Sequence, residues 1–90
     1  MNAPPKFKRD YKREAGGPHR TSLDRVLSTA VTMLARDEQL PARWQDHSLA
    51  GEWQDHRDSH LRPDLVLIHR KPSPTVLQLV RLGSHSELGL

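Results

Sequence analysis

Residues 65–68, Leu-Val-Leu-Ile, form the longest purely apolar run in the chain, and no other feature constrains the fold as much. Four residues are far too few to cross a bilayer, which takes about 20. On a strand, successive side chains point to opposite faces, so such a run is apolar on both. A strand over 65–70 (LVLIHR) therefore belongs in the centre of a sheet.

The layer that covers this sheet is legible upstream. Leu23, Val26, Leu27, Ala30, Val31 and Leu34 recur at the three- and four-residue spacing of one helix face. Thr21 or Ser22 is placed to cap that helix, and Asp24 complements the positive end of its dipole. The helix should end near Asp37–Gln39, before Pro41. A shorter helix is predicted over 6–14, with Lys8/Lys12 and Arg9/Arg13 stacked at i, i+4. Phe7 and Tyr11, also four apart, form its buried side. Gly16-Gly17-Pro18 separates the two helices. Residues 1–5, MNAPP, read as disordered or at most a short edge strand, because consecutive prolines remove ladder donors.

Residues 52–60 read as a strand, Arg62-Pro63-Asp64 as a turn, Lys71-Pro72-Ser73-Pro74 as a second turn, and 75–82 (TVLQLVRL) as the last strand. The expected architecture is a compact α+β domain spanning residues 1–90, with two N-terminal helices on an antiparallel meander. One sheet face packs on the helices, and the other is free for chemistry. Ninety residues can bury a core that folds alone, with marginal stability.

Composition narrows the function classes. The absence of cysteine excludes a disulfide framework and a cysteine-rich zinc site. The opening MNAPPKFKRD lacks the apolar region of a signal peptide, so the expected location is the cytoplasm, with no membrane partner. The formal charge of +3 is concentrated in Lys6-Phe7-Lys8-Arg9-Asp10-Tyr11-Lys12-Arg13. Such a patch suits nucleic acid or an acidic partner protein, or is simply a solvated helix face.

Residues 44–70 hold four of the six histidines (His47, His56, His60, His69) and both tryptophans. Imidazole titrates near neutrality, so it can both take and give a proton there. WQDH occurs at 44–47 and again at 53–56, an echo too short to be a repeat. Strand alternation places His56, Asp58 and His60 on one face, with Trp53, Asp55 and Arg57 on the other. His47 precedes the sheet in a loop, Asp64 follows the turn, and Arg81 and His85 lie on the last strand and its exit.

Two chemistries can use this set. His56-x3-His60-x3-Asp64 has helical metal-ligand spacing, but on a strand residues four apart stand ~13 Å apart, so the pair does not converge. A site formed by His47, His60 and His85 stays open. The other chemistry is metal-free RNA cleavage, in which the ribose 2′-OH attacks its own phosphate. It needs a base, an acid and a cation on the phosphorane. His60, His85, Arg81 and Asp64 are residues of the right types.

The succession DHSLAGEWQDHRDSHLRPDLVLIHR, then LQLVRLGSHSEL, with the opening FKRDYKRE, resembles the YafQ branch of the RelE/ParE superfamily of type II toxins. The ordered set DH, L-x-G-x-W, RD-x-H, PD and R-x-G-S-H carries the resemblance, which runs from Phe7 to Leu88. It implies a RelE-like sheet of three to four strands and a ribosome-dependent mRNA endoribonuclease that needs no cofactor. It also implies inhibition of translation until a cognate antitoxin neutralises the toxin. Position by position, it assigns catalysis to His47, His60, Asp64 and His85, with His85 as proton donor. Arg81 becomes an RNA contact beside the basic Lys8, Arg9, Lys12 and Arg13. The implied partners are mRNA in the ribosomal A site, rRNA and the antitoxin, the toxin alone being a monomer and the complex a hetero-oligomer. Two positions depart from the family pattern: only MNAPPK precedes Phe7 where a full strand is usual, and Gly89 stands where phenylalanine is expected. The same superfamily offers an alternative, a non-catalytic toxin that binds a protein target such as gyrase, as the ParE branch does.

Overall fold

The computed structural model describes residues 3–90. Helix α1 (Pro5–Ala15) starts on a proline, whose missing N–H is no loss in the first helical turn. Pro5 therefore opens a helix and belongs to neither a disordered arm nor an edge strand; residues 1 and 2 of that expectation lie outside the described residues. Phe7 is buried as expected, and Tyr11, half-buried, packs against the core and donates its hydroxyl to Asp24 of the next helix. The buried side of α1 also holds Asp10 and Glu14, which an apolar reading does not anticipate.

Helix α2 (Leu23–Ala35) buries Leu23, Leu27 and Ala30 along the predicted stripe. It stops at Ala35, short of the expected end, because Asp37 takes a left-handed φ of 56°. Ser22 occupies the N-cap position without a side-chain cap bond; its hydroxyl faces the carbonyl of His19 instead.

The sheet is antiparallel in the order β1 (His47–Ser48), β2 (Arg57–Arg62), β3 (Leu65–Ser73), β4 (Val76–Gly83). β3 is central, and residues 65–69 are buried. Leu65 and Leu67 join the helix-side core with Phe7, Leu23, Leu27 and Trp44. Val66 and Ile68 pack on the opposite face with Leu88, flanked by Leu49, Trp53 and Val80. Each such side chain contributes about 1.5–3 kcal/mol relative to exposure, so β3 staples both layers. α1 lies against β4.

Three expectations need correction. Only the second half of 52–60 is strand: Gly51–Trp53 is a 3-10 turn, and Gly51 (φ 65°) and Asp55 (φ 70°) break the extended run. His47 is not in a loop but pairs with Asp58 as strand β1. Residues 71–73 continue β3, and the turn shrinks to Pro74-Thr75. Pro72 is tolerated because the β3–β4 register breaks between Arg70 and Ser73, where no ladder N–H is required. One further element was not expected: helix α3 (His85–Leu88), opened by a Ser84/Glu87 capping box.

Candidate active site

Alternation along β2 sends Ser59 and Leu61 toward the helices and Asp58 and His60 to the other face. The β1–β2 pairing sets His47 opposite Asp58. β4 ends at Gly83, and α3 delivers His85 to the same place. The His60 and His85 rings meet edge to face, with centroids 4.9 Å apart at 75°. His47 stands 6.1 Å from His60. Three of the four histidines and aspartates assigned to catalysis are thus gathered on the open face of the sheet.

The carboxylate among them is Asp58, which is 3 % exposed. Its Oδ1 lies 2.9 Å from His47 Nδ1, and its Oδ2 lies 3.7 Å from His60 Nε2. His47 Nδ1 donates to the carbonyl of Gln45 at 2.7 Å, so the Asp58 contact is close but misaligned. In the neutral ring this leaves Nε2 of His47 as the free acceptor. Asp58 Oδ1 and His60 Nε2 complete no hydrogen bond among the described residues. A buried polar atom without a partner costs roughly 1–3 kcal/mol, and such atoms call for an explanation. Here they stand where a substrate's donors and acceptors would meet them.

The other assigned residues fall elsewhere. Asp64 is largely exposed and pairs with His19 Nε2 at 2.7 Å, away from the imidazole cluster. His56 lies just before β2 and packs edge-on against Trp53 at 5.4 Å. Arg81 holds Asp10 through Nε at 2.6 Å and Nη2 at 3.3 Å. Arg13 reaches the same carboxylate at 3.0 Å and donates to the Leu82 carbonyl at 2.7 Å. Burial raises the Asp10 pKa, but the hydrogen bonds from Arg81 and the Leu82 N–H, with both guanidinium charges, leave it below the ordinary carboxylate value. Arg13 also meets Glu14 and Glu87, each at 2.9 Å. The two arginines are therefore neutralised, and they dock α1 onto β4. They share a cleft of about 290 Å³ with Lys6 and Arg9, while Lys8 and Lys12 are exposed outside it.

Sequence reasoning missed two carboxylates. Asp58 was placed by alternation on the face of His60 but given no role. Asp46, next to His47, turns to the other side of the sheet. Its Oδ1 accepts from Ser59 Oγ at 2.8 Å and lies 3.2 Å from His69 Nε2, while its Oδ2 accepts from Arg57 Nε at 3.0 Å. Burial pushes its pKa up, but the bonds from His69, Ser59 and Arg57 outweigh that and hold it well below the usual carboxylate range. No local pattern announces this cluster, because its partners come from β2 and β3.

Among the described residues no three His, Cys, Asp or Glu side chains are arranged to hold a metal ion, and no helix is long and apolar enough to cross a membrane.

An antiparallel sheet with helices on one face and clustered imidazoles on the other defines a small α+β domain of the RelE-like kind. The chain matches, over residues 1–89, the family described as the bacterial toxin of type II toxin-antitoxin system, YafQ, and it belongs to that family. Its fold superposes on YafQ from E. coli strain BL21(DE3) with a TM-score of 0.81 at 30% identity, covering 97% of this chain and 93% of that one. A copper-bound mutant toxin from Helicobacter pylori gives 0.82 at 34%, covering 97% and 94%. The toxin in the E. coli DinJ-YafQ toxin-antitoxin complex gives 0.78 at 28%, covering 97% and 92%. No curated protein matches the chain.

Proposed function

We propose that the chain is an endoribonuclease that cuts mRNA in the ribosomal A site, arresting translation until an antitoxin covers it. The observation that carries this reading is the convergence of His47, His60 and His85 over the buried Asp58. In this mechanism His47, with Nδ1–H held by the Gln45 carbonyl, takes the 2′-OH proton on Nε2. Asp58 stabilises the imidazolium that results. His85 protonates the departing 5′-oxygen, and His60, between them, binds the phosphorane oxygens.

Asp64 joins through substrate positioning at the mouth of the site, where its pairing with His19 keeps it near the β2–β3 turn. Arg81, with Arg9 and Arg13 of α1, supplies the cationic wall for the RNA backbone, and Lys8 and Lys12 face rRNA. The copper bound by the Helicobacter pylori relative finds no matching donor set here, so no step runs through a metal. The DinJ-YafQ complex supports a small antitoxin as partner, with the toxin alone a monomer of one domain acting in the cytoplasm.

Ribosomes programmed with a defined mRNA test the reading. Cleavage should persist in EDTA, leave a 2′,3′-cyclic phosphate or 3′-phosphate, and stop when a 2′-deoxynucleotide occupies the cut site. Plasmid supercoiling should be unchanged on induction. A chelated protein that regains activity only with added zinc or magnesium would overturn the mechanism.

A further inference from the structure

We propose that the cleft between the 3-10 turn Ala42–Trp44 and the β2–β3 turn is an RNA subsite. It would seat the nucleotide next to the scissile phosphate, with the neighbouring phosphate on Arg43 and Arg62 and the base edge on Gln45. The inference rests on the nuclease reading above and names a part of the substrate that reading leaves unplaced.

The cleft has a volume of about 410 Å³, within the range of small-molecule sites. His60 forms one of its walls, so an occupant lies directly beside the imidazole cluster. Arg62, two residues further along β2, lines the same cleft across the bulge between His60 and Arg62. Bulges re-aim side chains beside active sites, and this one does so at the strand's exit.

Charge separates this cleft from the α1–β4 side. Arg13, Arg57 and Arg81 are all paired with carboxylates. Arg43 and Arg62 make no ion pair among the described residues, so their charge is available to a phosphate. Arg43 lies 5.8 Å over the Trp44 ring, which orients the guanidinium without neutralising it. Guanidinium groups suit phosphate because their planar N–H pairs match two oxygens at once.

Gln45 completes the site. It is a non-glycine residue held at φ 47°, a left-handed conformation of the sort that gathers at ligand clamps. Its carbonyl fixes the tautomer of His47, while its exposed side-chain amide makes no hydrogen bond among the described residues. That amide offers a donor and an acceptor side by side, as a base edge requires. Trp44 is buried in the core, so the base is read by polar edges here and not by stacking on that ring.

A five-nucleotide RNA with a 2′-deoxy block at the cut position, labelled for fluorescence anisotropy, tests the proposal. Binding to the wild-type chain is compared with the Arg43→Ser/Arg62→Ser double variant and with Arg20→Ser/Arg25→Ser, a charge-matched control on exposed positions. The first double variant should bind about tenfold or more weakly, and its plot of log affinity against log salt should flatten by about 1.4, about 0.7 per lost phosphate contact. The control should follow the wild type. Equal affinity and equal slope in all three would overturn the subsite while leaving cleavage on ribosomes to stand. Wild-type failure to bind the oligonucleotide, with ribosomal cleavage intact, would also sink the subsite alone; failure of both would sink the nuclease reading with it. Arginine variants that keep RNA affinity but lose the antitoxin would reassign the cleft to a protein partner.

Discussion

Trp44-Gln45-Asp46-His47 and Trp53-Gln54-Asp55-His56 carry the same four side chains and share a local habit. Each tryptophan closes a 3-10 turn, and each histidine donates Nδ1–H to the carbonyl two residues back, at 2.7 Å in the first copy and 3.0 Å in the second. They part at one torsion: the left-handed residue is Gln45 in the first copy and Asp55 in the second. In the first, Trp44 is core, Asp46 locks onto Ser59, His69 and Arg57, and His47 enters the sheet above Asp58. In the second, Trp53 is half-buried on the other face, Asp55 forms no ion pair among the described residues, and His56 rests on Trp53. A tetrapeptide sets its own short-range hydrogen bonds; partners from β2 and β3 decide which copy does chemistry.

The largest predicted contrast is catalytic. His47→Ala should lower cleavage by ~10²–10⁴, as should His60→Ala and His85→Ala, the range for removing a general acid or base. His56→Ala should stay within about twofold, the effect of an ordinary surface change. Equal losses at 47 and 56 would erase the distinction between the copies.

Stability should divide the tryptophans next. Trp44→Ala should cost about 3–5 kcal/mol by urea unfolding, and Trp53→Ala about half that, given its partial burial. The aspartates should follow. Asp46→Asn should cost about 1–3 kcal/mol at neutral pH, because it disturbs a buried hydrogen-bonded cluster. Since the folded pKa of Asp46 is depressed, its contribution is present above the ordinary value near 3.8 and is lost as pH falls below it toward the folded value. An acid titration of stability should therefore lose part of its slope below about pH 4 in the Asn variant. Asp55→Asn should show neither effect. Smallest is Asp55→Gly, which relieves a left-handed φ and should raise stability by no more than about 1 kcal/mol.

The parts of the fold that were legible are those where burial is periodic. Leu65–Ile68 announced a central strand, and the stripe from Leu23 to Leu34 announced α2. Residues 52–56 misled because their side chains alternate like a strand, while Gly51 and Asp55 turn the backbone out of it. β1 is too short to leave a pattern and exists only as the partner of β2. α3 did leave one, Ser84-x-x-Glu87, a capping box that was readable. At the site, sequence named the three histidines that converge. It misjudged the neighbours of Asp64 and Arg81, because their partners, His19 and Asp10, lie 45 and 71 residues away in the chain.

His85 opens a helix of four residues, a length with almost no stability of its own. Leu88, the capping box and the Arg13–Glu87 contact hold it in place. The fit is close, since a Cβ on Gly83 would lie 2.7 Å from Arg13 Nη2. Segments so lightly anchored open at far lower free energy than the sheet beside them. On warming, cleavage should therefore fade while the fluorescence of the two tryptophans still reports an intact core. Inactivation and denaturation become two separate events, and the toxin has a folded, silent state available to it without any partner.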